Sequence, residues 1–424
     1  MRNERNTQSR YQGKQRERGA VIVLFSFVMT SMLMALGLAV DLGAAYIASS
    51  SMSKAVDAGA LAGARFSAGS MIDIRDLAIE VASANLSGIN MPVEYEATVT
   101  IPTIDTLRVK LTAHTETETF FAKIMGAHKM NIRGYSEATR FPLDMSLVLD
   151  LSYSLERNDA FDEMQTAANG FVGYFNDQVD QVGLVTYSTW AEEQAALEKN
   201  FKDSLTSMIS GLSAITDTNI EEGLRLAKAQ MDAAPDRENA VKVVVLFTDG
   251  RPTAFADNFY MDLSAPRPEY YDGIVATYIS GSSVRGLFEG PDGDKIRYFS
   301  SSSGNPVLTS NGSGLTSYHL PAELPGGEQL NGDNIRQIGA DQSEAWANTI
   351  RNAGYTIYTV GLGNPDAEYE GDAPDLDFLR RIANEGGIVD GNQPKGSLMF
   401  APTPTELDAV FAQLADRILT RLTR

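Results

Sequence analysis

"MSLVLDLSYS", residues 145–154, sets an acid and two hydroxyls at alternate positions directly after an apolar run. In an extended strand, residues two apart point to the same side. A strand that ends near Asp150 would let the following loop turn Asp150, Ser152 and Ser154 toward one point, forming an oxygen-lined cup. A hard cation such as Mg²⁺ takes that kind of shell. Read alone, the stretch is equally a polar loop after a strand, because Asp and Ser are common loop residues. The rest of the chain has to supply the other walls.

A second apolar run, "VVVLFTDG" at 243–250, again ends in an acid, Asp249, followed by Gly250. Alone, Asp-Gly reads as a turn. In "AITDTNIEEGL", 214–224, Thr218 stands just ahead of an amphipathic pattern, where a helix N-cap is its ordinary role. Taken together, Asp150, Ser152, Ser154, Thr218 and Asp249 give two carboxylates and three hydroxyls from three loops.

From Asp144 onward, apolar strands alternate with helical patterns, which predicts a parallel α/β sheet. The strands fall at 145–150, 181–188, 241–248 and 355–362. The helices fall at 158–176, 199–211, 219–233, 341–353, 375–384 and 404–422. In a doubly wound sheet the three loops share the C-terminal rim, where ligands bind. Residues 253–340, rich in Gly, Ser, Pro and Tyr around "SSSSGNPVLTSNGSG", break the rhythm and read as an insertion on that rim.

The first part of the chain is different. Residues 1–19 are basic, with six Arg or Lys against two Glu, and residues 20–40, "AVIVLFSFVMTSMLMALGLAV", carry no charge. As a helix that run spans about 31 Å, matching the hydrocarbon core of a bilayer. A cleaved secretory signal shares the basic flank, but the apolar run exceeds the usual signal core of about 7–15 residues, which favours an uncleaved anchor. The positive-inside rule then keeps the tail in the cytoplasm and sends everything from Asp41 outward, to the periplasm or beyond. The small-residue face Leu42, Tyr46, Ser49, Met52, Val56, Ala60 and Gly63 suits either helix packing near a membrane or a stalk packed on its own domain. Residues 72–87 read as a helix, and 93–101, 106–116 and 130–139 as strands, with a short apolar helix between the last two. The organisation is therefore a tail (1–19), a membrane helix (20–40), a helical stalk with a small α+β domain (41–140), and a large α/β domain (142–424).

Composition excludes several functions. A net charge of −20 leaves nothing to neutralise phosphates over most of the length, so nucleic acid is not expected as a partner. The chain has no cysteine, which removes disulfides, Cys-type zinc sites and thiol catalysis, and only three histidines, His114, His128 and His319.

The order Asp150-x-Ser152-x-Ser154, then Thr218, then Asp249 resembles the metal-ion-dependent adhesion site of von Willebrand factor A domains. The resemblance covers about 144–420 and fills all five positions. It implies a doubly wound Rossmann-like fold that binds Mg²⁺, or Mn²⁺ or Ca²⁺, with a coordination position left for a carboxylate on a protein partner. Tyr153 stands where many members carry Gly, so its bulk is expected to gate the ligand. The N-terminal part, with Arg18-Gly19, "VDLG" at 40–43, "DAGALAGA" at 57–64, and later "TFFAKIMGA" and "IRGYSEAT", resembles the TadE/TadG family of tight-adherence (Flp) pilus proteins. Leu24 stands where a pseudopilin carries Glu, which argues against prepilin-type cleavage after Gly19.

The expected function is a membrane-anchored, metal-dependent protein-binding module in pilus assembly or adhesion, with pilins or other assembly components as partners in a bacterial inner membrane. The alternatives are a minor pilus subunit or tip adhesin and, further off, a metal-dependent hydrolase. Enzyme readings lack their residues: "GLGNPD" at 361–366 is not a Gly-x-Gly-x-x-Gly nucleotide loop, and no histidine is placed for a Ser-His-Asp triad. Neither catalysis nor nucleotide binding is expected. The acidic loops 290–295 and 364–377 lack EF-hand spacing and read as solvated surface.

Overall fold

The computed structural model describes residues 5–66, 70–87, 92–103, 106–261, 269–277, 284–289, 294–297, 309–310, 332–364 and 374–423. They form two compact units, the first built from residues up to 139 apart from short segments around 65–69 and 101–107, the second from Arg140 onward.

In the first unit, α1 (Arg5–Arg65) runs without a break. It contains no proline, and its apolar stretch from Val21 to Val40 lies exposed along the helix except at Gly37. It is the one helix among the described residues long and apolar enough to cross a membrane. Helix α2 (Met71–Asn85) starts at a reciprocal cap in which Asp73 N–H donates to Ser70 Oγ and Ser70 N–H donates to the Asp73 carboxylate. Strands β1 (Glu94–Thr103), β2 (Thr106–Glu118) and β3 (Lys129–Arg140) form a sheet in that order.

The face of α1 that packs on this unit is Gly37, Asp41, Ala45, Met52, Val56, Ala60 and Ala64. Of the face expected from sequence, Met52, Val56, Ala60 and Gly63 are buried, whereas Tyr46 is 75% exposed. The stripe shifts by one position toward its N-terminal end because the β2–β3 loop lies over Gly37 and Asp41. The small residues lower down serve the stalk's own unit: a Cβ on Gly59 would lie 2.4 Å from the Ala78 carbonyl oxygen of α2.

In the second unit the elements run β4 (Leu143–Asp150), α3 (Tyr153–Arg157), α4 (Phe161–Gly173), β5 (Gln181–Tyr187), β6 (Ala191–Glu198), α5 (Lys202–Ser210), α6 (Ile220–Ala233) and β7 (Val241–Thr248). They continue with β8 (Ala254–Met261), β9 (Glu269–Thr277), β10 (Val284–Glu289), β11 (Asp294–Arg297), β12 (Thr309–Ser310), α7 (Gly332–Asn352), β13 (Thr356–Leu362), α8 (Leu376–Ala383), β14 (Leu398–Ala401) and α9 (Leu407–Leu422).

The main sheet has the order β14-β13-β7-β4-β5-β6, parallel except for β6, which pairs antiparallel with β5. Strand β4 is central and wholly buried, as a strand covered by helices on both faces must be. Its Leu143, Met145, Leu147 and Leu149 enter a core with α4, α5 and α9, while Val148 enters another with α6, α7 and α8. That is the doubly wound architecture. Register places Asp150 opposite Tyr187 and Leu149 opposite Phe247, so β4 and β7 end together.

Five features differ from the sequence expectation. Strand β6 lies where no element was expected, as does the short β14. The expected helix 158–176 is the shorter α4, and an unexpected short helix, α3, precedes it, the two separated at Asp159, whose φ of 50° leaves the helical region. The expected insertion contains a second sheet, β11-β10-β9-β8-β12, among its described residues. Helix α7 begins at Gly332, inside the expected insertion. Residues 1–4, most of the 300–314 stretch, His319, and the central parts of both acidic loops (290–293 and 365–373) lie outside the described residues.

Candidate functional site

At the C-terminal end of β4, Asp150 is fully buried. Its Oδ1 accepts the Ser152 backbone N–H at 2.8 Å, and its Oδ2 accepts from Thr248 Oγ1 at 2.7 Å and Tyr187 Oη at 3.3 Å. These three donors fix the carboxylate while the chain leaves the strand. Ser152 and Ser154 then turn back, with their hydroxyl oxygens 2.9 Å apart. Both reach Asp249 Oδ1 at the end of β7, Ser154 at 2.8 Å and Ser152 at 3.3 Å. The structure thus brings Asp150, Ser152, Ser154 and Asp249 into one cup.

Thr218 comes from the loop that closes the cup's side. Two backbone bonds hold this loop to the β4 loop, Ile215 N–H to Leu151 O at 2.7 Å and Tyr153 N–H to Thr216 O at 3.1 Å. Thr218 is buried, and its backbone exchanges bonds with Thr253, N–H to Oγ1 at 2.8 Å and O to N–H at 2.9 Å. It does not cap α6. Asn219 does, its Oδ1 accepting the Glu222 N–H at 3.3 Å. The Thr218 hydroxyl is therefore not used by the helix, and it makes no hydrogen bond to either carboxylate. Tyr153, the first residue of α3 and the neighbour in sequence of both serines, is 49% exposed.

Sequence reasoning missed Thr248, Tyr187 and Thr253, the residues that hold the cup's walls. Thr248 and Tyr187 read as buried strand residues, and only the register of β4 with β5 and β7 directs them at Asp150.

The electrostatics are unbalanced. Burial raises the carboxyls of both Asp150 and Asp249 above the usual range, and the charge of Asp150 raises Asp249 further. Hydrogen bonds from Thr248 and Ser152 oppose the rise at Asp150. Neither acid has a basic partner among the described residues, and Asp249 Oδ2, buried, has no hydrogen-bond partner at all. Buried polar atoms are almost always paired, so an orphaned carboxylate oxygen signals a missing partner. Among the described residues no group of three or more His, Cys, Asp or Glu is placed to hold a metal ion. The donor set here is two carboxylates and hydroxyls, all hard oxygen ligands, whose charge a divalent cation would neutralise. Beside Asp249 opens a cleft of about 240 Å³ lined also by Asn158, Leu362, Asn364 and Pro402.

Comparison with known families agrees with this geometry. Residues 144–284 match the von Willebrand factor type A domain, and residues 19–65 match the Flp pilus-assembly TadE/G-like family. The chain carries a TadE/G-like segment and a von Willebrand factor A domain. No curated protein matches it. Among solved structures it is similar to the von Willebrand factor domain of the type V pili tip protein Mfa5 from Porphyromonas gingivalis, at 17% identity and TM-score 0.41, covering 67% of this chain and 97% of that one. It is also similar to the pilus adhesin SpaC from Lactobacillus rhamnosus GG, at 14% identity and TM-score 0.43, covering 79% of this chain and 35% of that one. The family matches, rather than these distant structures, carry the assignment. In this A domain the matched region contains all five cup residues together with β4, β5 and β7, and it ends as the inserted sheet is being formed.

Proposed function

We propose that this protein is a membrane-anchored, metal-dependent binding module that acts, without catalysis, in assembly of a Tad-type pilus or in adhesion through it. The observation that carries the proposal is the buried, unneutralised pair Asp150 and Asp249 with its orphaned oxygen. Asp150, Ser152, Ser154 and Asp249 would hold Mg²⁺, Mn²⁺ or Ca²⁺, with Thr218 as the further hydroxyl. The bound cation would supply an electrophilic contact for a carboxylate on a protein partner, such as a pilin or another assembly component.

The chain's own residues do the remaining work. Thr248 and Tyr187 keep Asp150 aimed into the cup, and the 215–218 loop is pinned to the β4 loop so that all donors arrive on one side. Tyr153, half-exposed and between the two serines in sequence, would restrict which acidic side chain can approach. Residues 20–40 anchor the chain in a bilayer, and the basic tail before them sets the amino terminus in the cytoplasm.

The test is Mg²⁺-dependent capture of candidate pilins by the full-length chain in detergent, wild type against Asp150→Ala. The variant leaves three neutral hydroxyls and one acid, too little to hold Mg²⁺ against its hydration. Capture should vanish while the thermal midpoint in metal-free buffer changes little. Capture that is equally strong in chelator for the wild type, and persists in the variant, would refute metal dependence. Retention in the membrane fraction, rather than release with sheared fibres, separates an assembly role from a fibre subunit.

A further inference from the structure

The loop between β2 and β3 carries four large apolar side chains within six residues, Phe120, Phe121, Ile124 and Met125, and all are exposed, Phe120 and Ile124 at 76%. Single exposed apolar residues are ordinary, but a cluster on one loop marks a surface that meets something apolar. Two contacts place this loop along α1. Gly37 is buried, although its neighbours in the uncharged run are exposed, because the Phe121 ring covers it: a Cβ there would lie 2.5 Å from Phe121 Cγ. One turn further on, the Asp41 carboxylate accepts backbone N–H groups from Phe120 at 2.9 Å, Phe121 at 2.9 Å and Ala122 at 2.7 Å.

Side chains cap such donors in water too, where water itself could satisfy them. At the edge of hydrocarbon no water is at hand, and backbone donors must be paired within the protein. Leu33, Leu36, Leu38 and Val40 around the contact are exposed, so the loop's apolar side chains continue the surface that α1 offers to lipid. Gly37 lies three residues, about 4.5 Å, inside the end of the uncharged run. Phe121, lying against it, therefore reaches the depth at which aromatic side chains settle in bilayers.

We propose that residues 120–125 insert into the interfacial layer of the leaflet from which α1 emerges, and that Asp41 is a positioning residue capping the loop's backbone at that depth. The proposal rests on the reading of 20–40 as a bilayer span. The protein would then grip the membrane at two points, a span and a wedge beside it, which fixes the rotation of α1 about its own axis as well as its depth.

The absence of cysteine makes the test clean. Ile124→Cys, Val28→Cys within the span and Glu96→Cys on β1 are each labelled with an environment-sensitive nitrobenzoxadiazole dye. The full-length chain is placed in phosphatidylethanolamine–phosphatidylglycerol vesicles, and quenching by nitroxide-bearing lipid is compared with quenching by aqueous iodide. Expected are strong lipid quenching at position 28, lipid quenching of at least half that size at 124 with a blue-shifted emission, and iodide quenching alone at 96. Adding Asp41→Ala should lower lipid quenching at 124 several-fold and leave position 28 unchanged, with Asp41→Asn intermediate. Iodide quenching at 124 with lipid quenching at 28 would overturn the wedge and leave the anchor standing. Absence of lipid quenching at both positions would overturn the anchor reading and the wedge with it. Shielding of 124 from both quenchers would show a protein, or a second copy, on the loop and would also refute lipid as its occupant.

Discussion

The two ends of the central sheet treat buried acids in opposite ways. At the rim where β4, β5 and β7 begin, Asp180 is fully buried and holds Arg140 in a two-pronged pair while accepting the Leu143 and Asn176 backbone N–H groups. Next to it Asp144 pairs with Arg237, which also donates to the Val179 and Leu143 carbonyls. At the rim where the same strands end, Asp150 and Asp249 are buried too but bond to hydroxyls, and neither pairs with a basic side chain among the described residues. Burying a charge is costly unless it is paired. The first rim meets that cost within the chain and is structural; the second does not, which is the contrast on which the proposed metal site rests.

The largest effect should come from breaking the closed rim. Arg140→Ala strands Asp180, and removal of one partner of a buried pair costs about 3–5 kcal/mol. Denaturant unfolding followed by Trp190 and Trp346, both in this domain, reads that loss. A loss below about 1 kcal/mol would remove the contrast between the rims. Next, the open rim should respond to metal where the closed rim does not. At a hundredfold excess over its dissociation constant, Mg²⁺ should add about 2.7 kcal/mol to the wild type. It should add nothing to Asp249→Asn, and equal stabilisation of both would place the metal elsewhere.

Glu221, in the first turn of α6, is a third kind of acid. It is buried, accepts from Trp346 Nε1 at 3.1 Å and the Ala256 N–H at 3.3 Å, and is pushed up to about 8 by burial and then by the charge of Glu222. The folded state therefore holds this proton more tightly than the unfolded chain, where Glu titrates near 4.3. Its stabilising contribution is complete below about pH 4.3 and is lost as pH rises through about 8, with a slope of at most about 1.4 kcal/mol per pH unit. In metal-free buffer, Glu221→Gln should flatten the fall in thermal midpoint between pH 5.5 and 8.5; an unchanged slope would show another group to be responsible. The smallest effect is expected at Tyr153. As a half-exposed residue, its change to Ala should alter stability by about 0.5 kcal/mol or less. Mg²⁺ affinity should hold while partner association speeds up, and a change in Mg²⁺ affinity instead would make Tyr153 part of the metal's surroundings rather than its gate.

The contrast between the rims could not be read from sequence, although much of the site could. "MSLVLD" and "VVVLFTD" are nearly pure apolar runs that stop at an acid, so both strands and both carboxylates were visible in order. Which acids are neutralised depends on register. Asp144 and Arg237 are 93 residues apart and meet only because β4 and β7 start side by side. The bonds to Asp150 from Tyr187 and Thr248 are long-range in the same way.

Strand β6, "AEEQAALE", was hidden for another reason. Its Ala and Glu favour helix, and as an edge strand paired only with β5 it keeps a polar, partly exposed surface that shows no apolar alternation. Pairing with a neighbour overrides local preference there. The strands β8 and β9, "AFADNFYM" and "EYYDGIVAT", have the aromatic content of strands, but the Gly- and Ser-rich residues around them masked it.

The A domain's ends meet: the Phe141 N–H donates to the Leu422 carbonyl at 2.8 Å, and Arg140 bridges to Thr423. The chain thus enters the domain beside the point where α9 finishes, at the starting edge of β4, and the cup lies at the far end of that same strand. A pull between the entry point and anything gripped by the cup is directed along β4. Its ladders to β5 and β7 are then loaded in shear, so that their bonds share the load together instead of opening one after another. On the function proposed, a partner held at the cup would load the domain in this direction.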